Sequence, residues 1–285
     1  MYYKSINQGR EKEHPLIFMR KIKFIRKLTN NEKILFEQNP TEEELEAREF
    51  SIKIRDLYKT IASKKLTIKE LIKFNPLPLR LKIEFYLREC IEKKIFNHIN
   101  FGFVSNYRFR HLEKIFDNIS PVKLIYEFGS GASTIVIAEK LREQFKKNGI
   151  KGTLYTFDQS KEWLEDLKSN FPKNLIKFVK FKHTDLKYEF KYNFRLLKYD
   201  IKKYHENIDL VYIDGPTPKL FEDLPSPHGF NANGNIIEMM KFKNFKYGFT
   251  DKRFYYFEVF KKNNFGNYSV NLDKINKSII LKVKH

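Results

Sequence analysis

The sequence predicts an α/β protein with a doubly wound, mostly parallel sheet and an antiparallel strand from a C-terminal hairpin, preceded by a helical region. Two observations favour this class. From Val122 onward, short apolar runs alternate with segments of helical spacing, which indicates parallel strands with crossover helices. Before that point the apolar residues follow only a helical period. We therefore predict a helical N-terminal region at 1–118 and an α/β domain at 119–285.

Capping patterns mark the helices of the N-terminal region. Thr41 with Glu44 forms a capping box ahead of an apolar stripe, Thr67–Glu70 repeats the pattern, and two further helices are expected within 79–116. The stretch Pro15–Leu28 alternates apolar and basic residues. It predicts either a helix packed on the domain, the favoured reading, or one lying on an anionic membrane surface.

The α/β domain contains seven predicted strands and four predicted helices. The strands are Val122–Glu127, Thr153–Phe157, Leu175–Phe181, Ile208–Ile213, Phe245–Phe249, Tyr268–Leu272 and Ser278–Val283. The helices are Ser133–Lys146, Lys161–Ser169, Asn235–Phe242 and Phe254–Phe260. The last two strands are predicted to form a hairpin, because residues 273–277 leave no room for a helix between them.

Composition excludes several classes of protein. Hydrophobic residues make up 41% of the chain, which is too much for a disordered protein. No apolar run reaches the ~18 residues that span a bilayer, and the single cysteine, Cys90, excludes a disulfide framework. We therefore expect a cytoplasmic protein. The net charge of +20 indicates either a generally lysine-rich surface or a basic face for nucleic acid, anionic glycan or lipid.

A glycine-containing turn follows the first strand, in the order Glu127-Phe-Gly129-Ser130-Gly131-Ala-Ser133-Thr134. The glycines allow a sharp turn and a close approach of ligand to the N-terminus of the next helix. The third glycine of a dinucleotide fingerprint and the lysine of a P-loop are both absent. A carboxylate two residues before the first glycine suits a ligand that carries an ammonium group.

Acidic residues also follow the next three strands. Asp158 comes 27 residues after Gly131, where an acid can accept both hydroxyls of a ribose. Asp185 follows the third strand, in a position to meet the edge of a base, and Asp214 ends the fourth. With Glu127, these acids are expected to converge on one crevice at the carboxyl edge of the sheet.

These residues resemble the class I S-adenosylmethionine-dependent methyltransferases, over about Val122–Val283. The resemblance implies a Rossmann-like fold with an antiparallel last strand and S-adenosylmethionine as cofactor. It implies that Glu127 binds the methionine amino group, Asp158 the ribose and Asp185 the adenine. The cofactor would also be lined by the turn residues Gly129, Ser130, Gly131, Ser133 and Thr134. The G-S-G-x-S-T form and Ile213-Asp-Gly-Pro216 are closest in style to polysaccharide and small-molecule O-methyltransferases.

The acceptor is predicted to be a hydroxyl of a sugar, glycan or small molecule. The chain has Asp214-Gly-Pro-Thr217 where exocyclic-amine methyltransferases carry N/D-P-P-Y/F/W, and Cys90 lies far from the position of a C5-cytosine nucleophile. Methylation of RNA ribose stays open. A non-catalytic protein that keeps the fold and binds nucleic acid or membrane is the alternative of a different class.

The reaction is expected to be a direct displacement at the methyl carbon, assisted by a general base. Asp214, His228 and Asp251 are the candidate catalytic residues, and Lys252 and Arg253 the candidate acceptor-binding residues. Asp214 and Asp251 could share a divalent cation. The neighbouring cations Lys252 and Arg253 argue against this, so the metal-free route is favoured and no metal ligand is assigned.

One aromatic and basic segment, Lys187–Lys203, precedes the fourth strand. It contains Tyr188, Phe190, Tyr192, Phe194 and Tyr199 among basic residues. This interleaving predicts either a surface that stacks bases or sugars, or a long connection packed on the helical region.

Overall fold

The computed structural model describes residues 26–63, 115–119, 121–205, 207–216, 232–242, 245–251, 253–263, 267–273 and 278–284. Several sequence predictions lie outside these residues: most of Pro15–Leu28, the capping box at Thr67–Glu70, the helices within 79–114, and the site candidates His228 and Lys252.

The described elements comprise six helices and ten strands. The helices are α1 (Asn30–Glu37), α2 (Glu42–Ser63), α3 (Ala132–Asn148), α4 (Lys161–Ser169), α5 (Gly234–Met239) and α6 (Tyr255–Lys262). Residues 115–119, at the border of the described part of the chain, are also helical. The strands are β1 (Leu124–Phe128), β2 (Thr153–Asp158), β3 (Val179–His183), β4 (Leu186–Lys191), β5 (Phe194–Tyr199), β6 (Leu210–Ile213), β7 (Ala232–Asn233), β8 (Tyr247–Asp251), β9 (Tyr268–Asp273) and β10 (Ser278–Val283).

The main sheet has seven strands in the order β3-β2-β1-β6-β8-β10-β9. The strands from β3 to β8 pair in parallel, and β10 is antiparallel to both β8 and β9. The predicted fold class is therefore confirmed. The antiparallel strand does not form the edge of the sheet, however, because β10 lies between β8 and β9 and leaves β9 at the border.

The strand order places a topological switch point next to β1. The chain passes from β1 to β2 and β3 on one side, and then crosses to β6 on the other side. Connections that leave β1 in opposite directions open a crevice at the carboxyl ends of β1 and β6. Apolar side chains fill both faces of the sheet, with Tyr126 and Phe128 of β1 on one face and Ile125 on the face covered by α3.

The third strand begins later than the sequence predicts. Leu175 does not start β3; it precedes a single 3-10 turn, Ile176–Phe178, in which the Phe178 amide donates to the Leu175 carbonyl at 2.9 Å. Leu175 and Phe178 are buried in this turn, so apolar character there reflects packing against the sheet rather than strand pairing.

A second, three-stranded sheet of β4, β5 and β7 was not predicted. Its β4–β5 hairpin occupies the aromatic and basic segment Lys187–Lys203. The hairpin turns at Tyr192 and Asn193, whose φ angles are 56° and 62°. Left-handed residues at both central positions are typical of a two-residue hairpin turn.

The N-terminal helices are joined to this hairpin by two glutamates. The predicted capping box at Thr41 and Glu44 is observed, and Thr29 with Glu32 forms a second one. The Glu44 carboxylate also accepts from the backbone of Arg195 and forms a buried ion pair with its guanidinium at 2.8 Å. Glu32 accepts from the Tyr188 amide in the same way. Within the described residues, no helix has the length and apolar character needed to cross a membrane.

Candidate functional site

The turns after β1 and β6 touch each other through their backbones. Gly129 has a φ of +90°, and a Cβ placed on it would lie 2.6 Å from the Gly215 nitrogen. A Cβ on Gly215 would lie 2.8 Å from the Gly129 Cα. Only glycine fits at both positions, the first because of its left-handed backbone as well. The two turns together form the floor of the crevice at the switch point.

The glycine turn leads into the N-terminus of α3. The Gly131 amide donates to the Thr134 hydroxyl at 2.9 Å, and the Ser130 carbonyl accepts from the Trp163 indole at 3.0 Å. The backbone of the turn is therefore held from both sides, by α3 itself and by α4. Amides at a helix N-terminus favour ligands that carry negative charge or hydrogen-bond acceptors.

Glu127 is fully buried beneath the first turn of α3. Its carboxylate accepts hydroxyl hydrogen bonds from Ser133 at 2.5 Å, Thr134 at 2.6 Å and Thr156 at 2.7 Å. Burial raises the pKa of this carboxyl to about 7, against the effect of the three hydroxyls. The negative charge of Asp214 adds to the rise. A cation brought to this carboxylate would stabilise its ionised form.

Asp158 holds the glycine turn to the start of α4. One carboxylate oxygen accepts from the amide and the hydroxyl of Ser130, each at 3.0 Å, and the other accepts from the Ser160 amide at 2.9 Å. Asp158 is only 5% exposed, and burial raises its pKa. The Gln159 amide also interacts with this carboxylate, so a further donor would have to replace or share one of these hydrogen bonds.

Asp214 follows β6 at the opposite wall of the crevice. Its side chain is 40% exposed, and Arg253 Nη2 lies 3.9 Å from its Oδ1. Arg253 also donates to the Asp214 backbone carbonyl. Arg253 therefore lies beside Asp214 and contacts both its carboxylate and its backbone carbonyl.

The other predicted site residues lie at varying distances from this cluster. Asp251 ends β8, and its strand neighbour Thr250 pairs in register with Ile213, so the backbone of Asp251 lies next to that of Asp214. Asp185 is exposed and follows β3, two strands away from β1. The structure thus brings Glu127, Asp158 and Asp214 together around the glycine turns. Asp185 lies at the far end of the crevice.

Tyr199 is a residue of this cluster that sequence reasoning did not single out. It ends β5, is fully buried, and donates its hydroxyl to the Gln159 side chain at 2.9 Å. Its ring stacks on Phe128 with centroids 5.4 Å apart, and its oxygen lies 2.5 Å from the position of a Cβ on Gly215. Burial and the charge of Asp158 raise the pKa of its phenol. No sequence signal separates Tyr199 from the other aromatics of Lys187–Lys203.

Side chains that could bind a metal ion are not clustered around the crevice in the described part of the chain. Across the described residues, no group of three or more His, Cys, Asp or Glu side chains is close enough together to hold a metal ion. Asp214 and Arg253 form an acid–base pair rather than an acidic set.

Three comparisons relate the chain to known proteins. No protein-family model and no curated protein matches it. Among solved structures, a protein from Streptococcus mutans assigned as a methyltransferase, in complex with S-adenosylhomocysteine, is 14% identical, with a TM-score of 0.37 over 61% of this chain and 97% of that one. The N-terminal domain of human METTL16 with the same ligand is 11% identical, with a TM-score of 0.38 over 67% and 77%.

A SAM-dependent methyltransferase from Aquifex aeolicus gives similar values. It is 14% identical, with a TM-score of 0.35 over 62% of this chain and 96% of that one.

Proposed function

We propose that this protein is an S-adenosylmethionine-dependent methyltransferase. The observation that supports it best is the floor of the crevice, where a left-handed Gly129 abuts Gly215 at the switch point and Glu127 and Asp158 lie directly behind the turn. An antiparallel strand after the parallel ones agrees with the same family resemblance.

The residues present fit this cofactor at two points. A Cβ on Gly129 would strike the Gly215 backbone, so the β1 and β6 turns can meet closely beside the cofactor only with glycine at this position. The buried Glu127 carboxylate has a raised pKa that an ammonium group would lower. Three hydroxyls already donate to the Glu127 carboxylate. The ammonium group would therefore displace one of these hydroxyls, or would donate to a hydroxyl that in turn donates to the carboxylate.

The remaining cofactor contacts follow the strand order. At Asp158 a ribose hydroxyl would take the place of the Ser130 hydroxyl, while the backbone amides of Ser130 and Ser160 keep their bonds. Asp185 is exposed at the β3 end, on the side where the adenine is expected. The cofactor supplies an electrophilic methyl group, and this chain has to bind it, orient the acceptor and accept the acceptor's proton.

The acceptor is a hydroxyl of a sugar, glycan or small molecule, with Asp214 as the general base. Its half-exposed carboxylate stands at the β6 wall of the crevice, with the Arg253 guanidinium 3.9 Å away. Asp251 is the alternative base on the neighbouring strand, and His228 is a further candidate, which lies outside the described residues. Arg253 and Lys252 are positioned in the chain to hold a polar acceptor.

Calorimetry with S-adenosylmethionine and S-adenosylhomocysteine tests the cofactor assignment. We expect both to bind the wild type and to bind Asp158→Ala more weakly by roughly 2–4 kcal/mol, because a charge-assisted hydrogen bond is lost. Ser169→Ala, a change at the distant end of α4, is the control. Absence of binding to the wild type would favour the non-catalytic alternative.

Transfer of a labelled methyl group then identifies the acceptor. The screen covers glycans, small hydroxyl compounds and RNA, since RNA ribose is the second candidate acceptor. With an active acceptor, Asp214→Asn should lower kcat by about 10²–10⁴-fold and leave cofactor affinity unchanged. A wild-type rate in this variant would remove Asp214 as the base.

A further inference from the structure

The edge strand β3 presents lysines on one face of the main sheet. Val179 and Phe181 pack on the face that is covered by α3 and α4. Lys180 and Lys182 alternate with them and are exposed on the opposite face. Because side chains two apart on a strand lie about 6.6 Å apart on the same face, these two ammonium groups form a short basic row.

Aromatic side chains continue this row across the sheet. Tyr155 of β2 pairs in register with Lys180 and is half-buried. The ring of His205 tilts against the Tyr155 ring with centroids 5.0 Å apart. His205 belongs to the loop after β5, in which Lys202 and Lys203 are exposed within about 10 Å of it along the chain. We call these six residues the β3 basic face: Tyr155, Lys180, Lys182, Lys202, Lys203 and His205.

The charge of the β3 basic face is only weakly offset by acids in the described part of the chain. None of the ion pairs there involves its four lysines. Asp200, an acid of the same loop, is engaged by Lys187 at 2.6 Å and more weakly by the charge of Lys202, and both lower its pKa. Four positive charges therefore stand beside two aromatic rings.

We propose that the β3 basic face binds single-stranded nucleic acid. The lysines supply phosphate contacts, and the Tyr155–His205 pair supplies a platform on which an unpaired base stacks. A lipid surface would use the charge but not the rings, and a duplex keeps its bases stacked away from them. This surface lies about 14 Å, three strand spacings, from β6, and its binding does not depend on methyl transfer.

The test is fluorescence anisotropy with a labelled 20-nucleotide single-stranded RNA, its duplex form, and heparin as competitor, without cofactor. Replacing Lys180, Lys182, Lys202 and Lys203 by glutamine should weaken binding at least 10-fold. It should also reduce the slope of log K against log salt by about 3, since each phosphate contact on a single strand contributes ~0.7. The matched control replaces four exposed lysines on the α3 and α4 side: Lys146, Lys147, Lys151 and Lys168.

A second variant separates stacking from charge. Tyr155→Leu keeps an apolar side chain against the core and should weaken single-stranded RNA binding between about 5-fold and 150-fold, with little effect on heparin binding. Equal losses in the two lysine sets would show that net charge alone attracts the RNA and would overturn the proposal. So would duplex or heparin binding as tight as that of the single strand, or unchanged RNA affinity in both the lysine variant and Tyr155→Leu.

Discussion

Replacing Glu127 with glutamine is expected to abolish a loss of stability that the wild type suffers between about pH 4.5 and pH 7. In the folded protein the carboxyl is buried and has a pKa of about 7, whereas in the unfolded chain it has its ordinary value of 4.5. Below pH 4.5 both states hold the proton, and the full stability is present. As the pH rises to 7, the unfolded chain ionises first, so the folded state loses free energy relative to it.

The size of this loss follows from the pKa difference. The pKa of Glu127 differs by about 2.5 between the folded and unfolded states, and at about 1.36 kcal/mol per pKa unit this corresponds to about 3 kcal/mol of unfolding free energy. Above pH 7 both states are ionised and the loss stays constant. Three kcal/mol is a substantial part of the stability of an ordinary domain.

Urea unfolding at pH 4.5 and pH 8 measures the effect. The stability difference between the two pH values should be about 3 kcal/mol more unfavourable for the wild type than for Glu127→Gln. The other titrating groups are shared, so they cancel in this comparison. Glu165→Gln, an exposed change on α4, should behave like the wild type. The same pH dependence in wild type and Glu127→Gln would refute the burial argument.

Ligand binding should report on the same proton. If an ammonium group of a ligand pairs with Glu127, binding near pH 7 releases about half a proton, because half of the carboxyls are protonated there. Calorimetry in buffers of different ionisation enthalpy detects this release. Glu127→Gln should bind without it, and an equal release in both proteins would place the ammonium elsewhere.

Two further predictions concern backbone fit and buried charge. Gly149→Ala should lower the free energy of unfolding by roughly 1–2 kcal/mol, and Gly129→Ala by several times as much. Both glycines have a positive φ, but only at Gly129 would the new Cβ lie within 3 Å of backbone atoms. Thermal unfolding of the two variants measures the difference. Glu44→Gln should destabilise by about 3–5 kcal/mol because it removes the carboxylate that pairs with a buried guanidinium and leaves carbonyl acceptors around that charge. Glu49→Gln, in an exposed pair, should leave the urea midpoint close to that of the wild type. Similar urea midpoints for the last two variants would contradict this.

Periodicity predicts the crossover part of the fold well, and it fails at the hairpin for a physical reason. The observed bounds of α4, Lys161–Ser169, and of β10, Ser278–Val283, are those expected from the sequence. In β5, however, all six residues are buried, so no alternation of polar and apolar residues marks the strand. In the sequence, Arg195 and Lys198 suggest solvent-exposed positions. Both are buried, because Glu44 and Glu238 from other parts of the chain neutralise their charges.

The parts of the site that depend on residue spacing along the chain can be predicted from the sequence. The glycine turn and the strand-end acids follow from the sequence, because parallel strands end at one edge of the sheet. Which way each carboxylate points does not follow, since neighbouring positions at a strand end face opposite sides. Glu127 faces the buried side beneath α3, and Tyr199 arrives from a hairpin about 70 residues later in the chain.

The position of β10 has a consequence for the order in which the sheet is completed. β9 precedes β10 in the chain, yet β10 is the strand that pairs with it in the main sheet. Without β10, β9 has no place in the sheet and β8 keeps an open edge that can pair with another chain. Chains truncated near residue 275 should therefore be prone to aggregate, whereas Ser278–Val283 covers the edge of β8 and brings β9 into the sheet in one step.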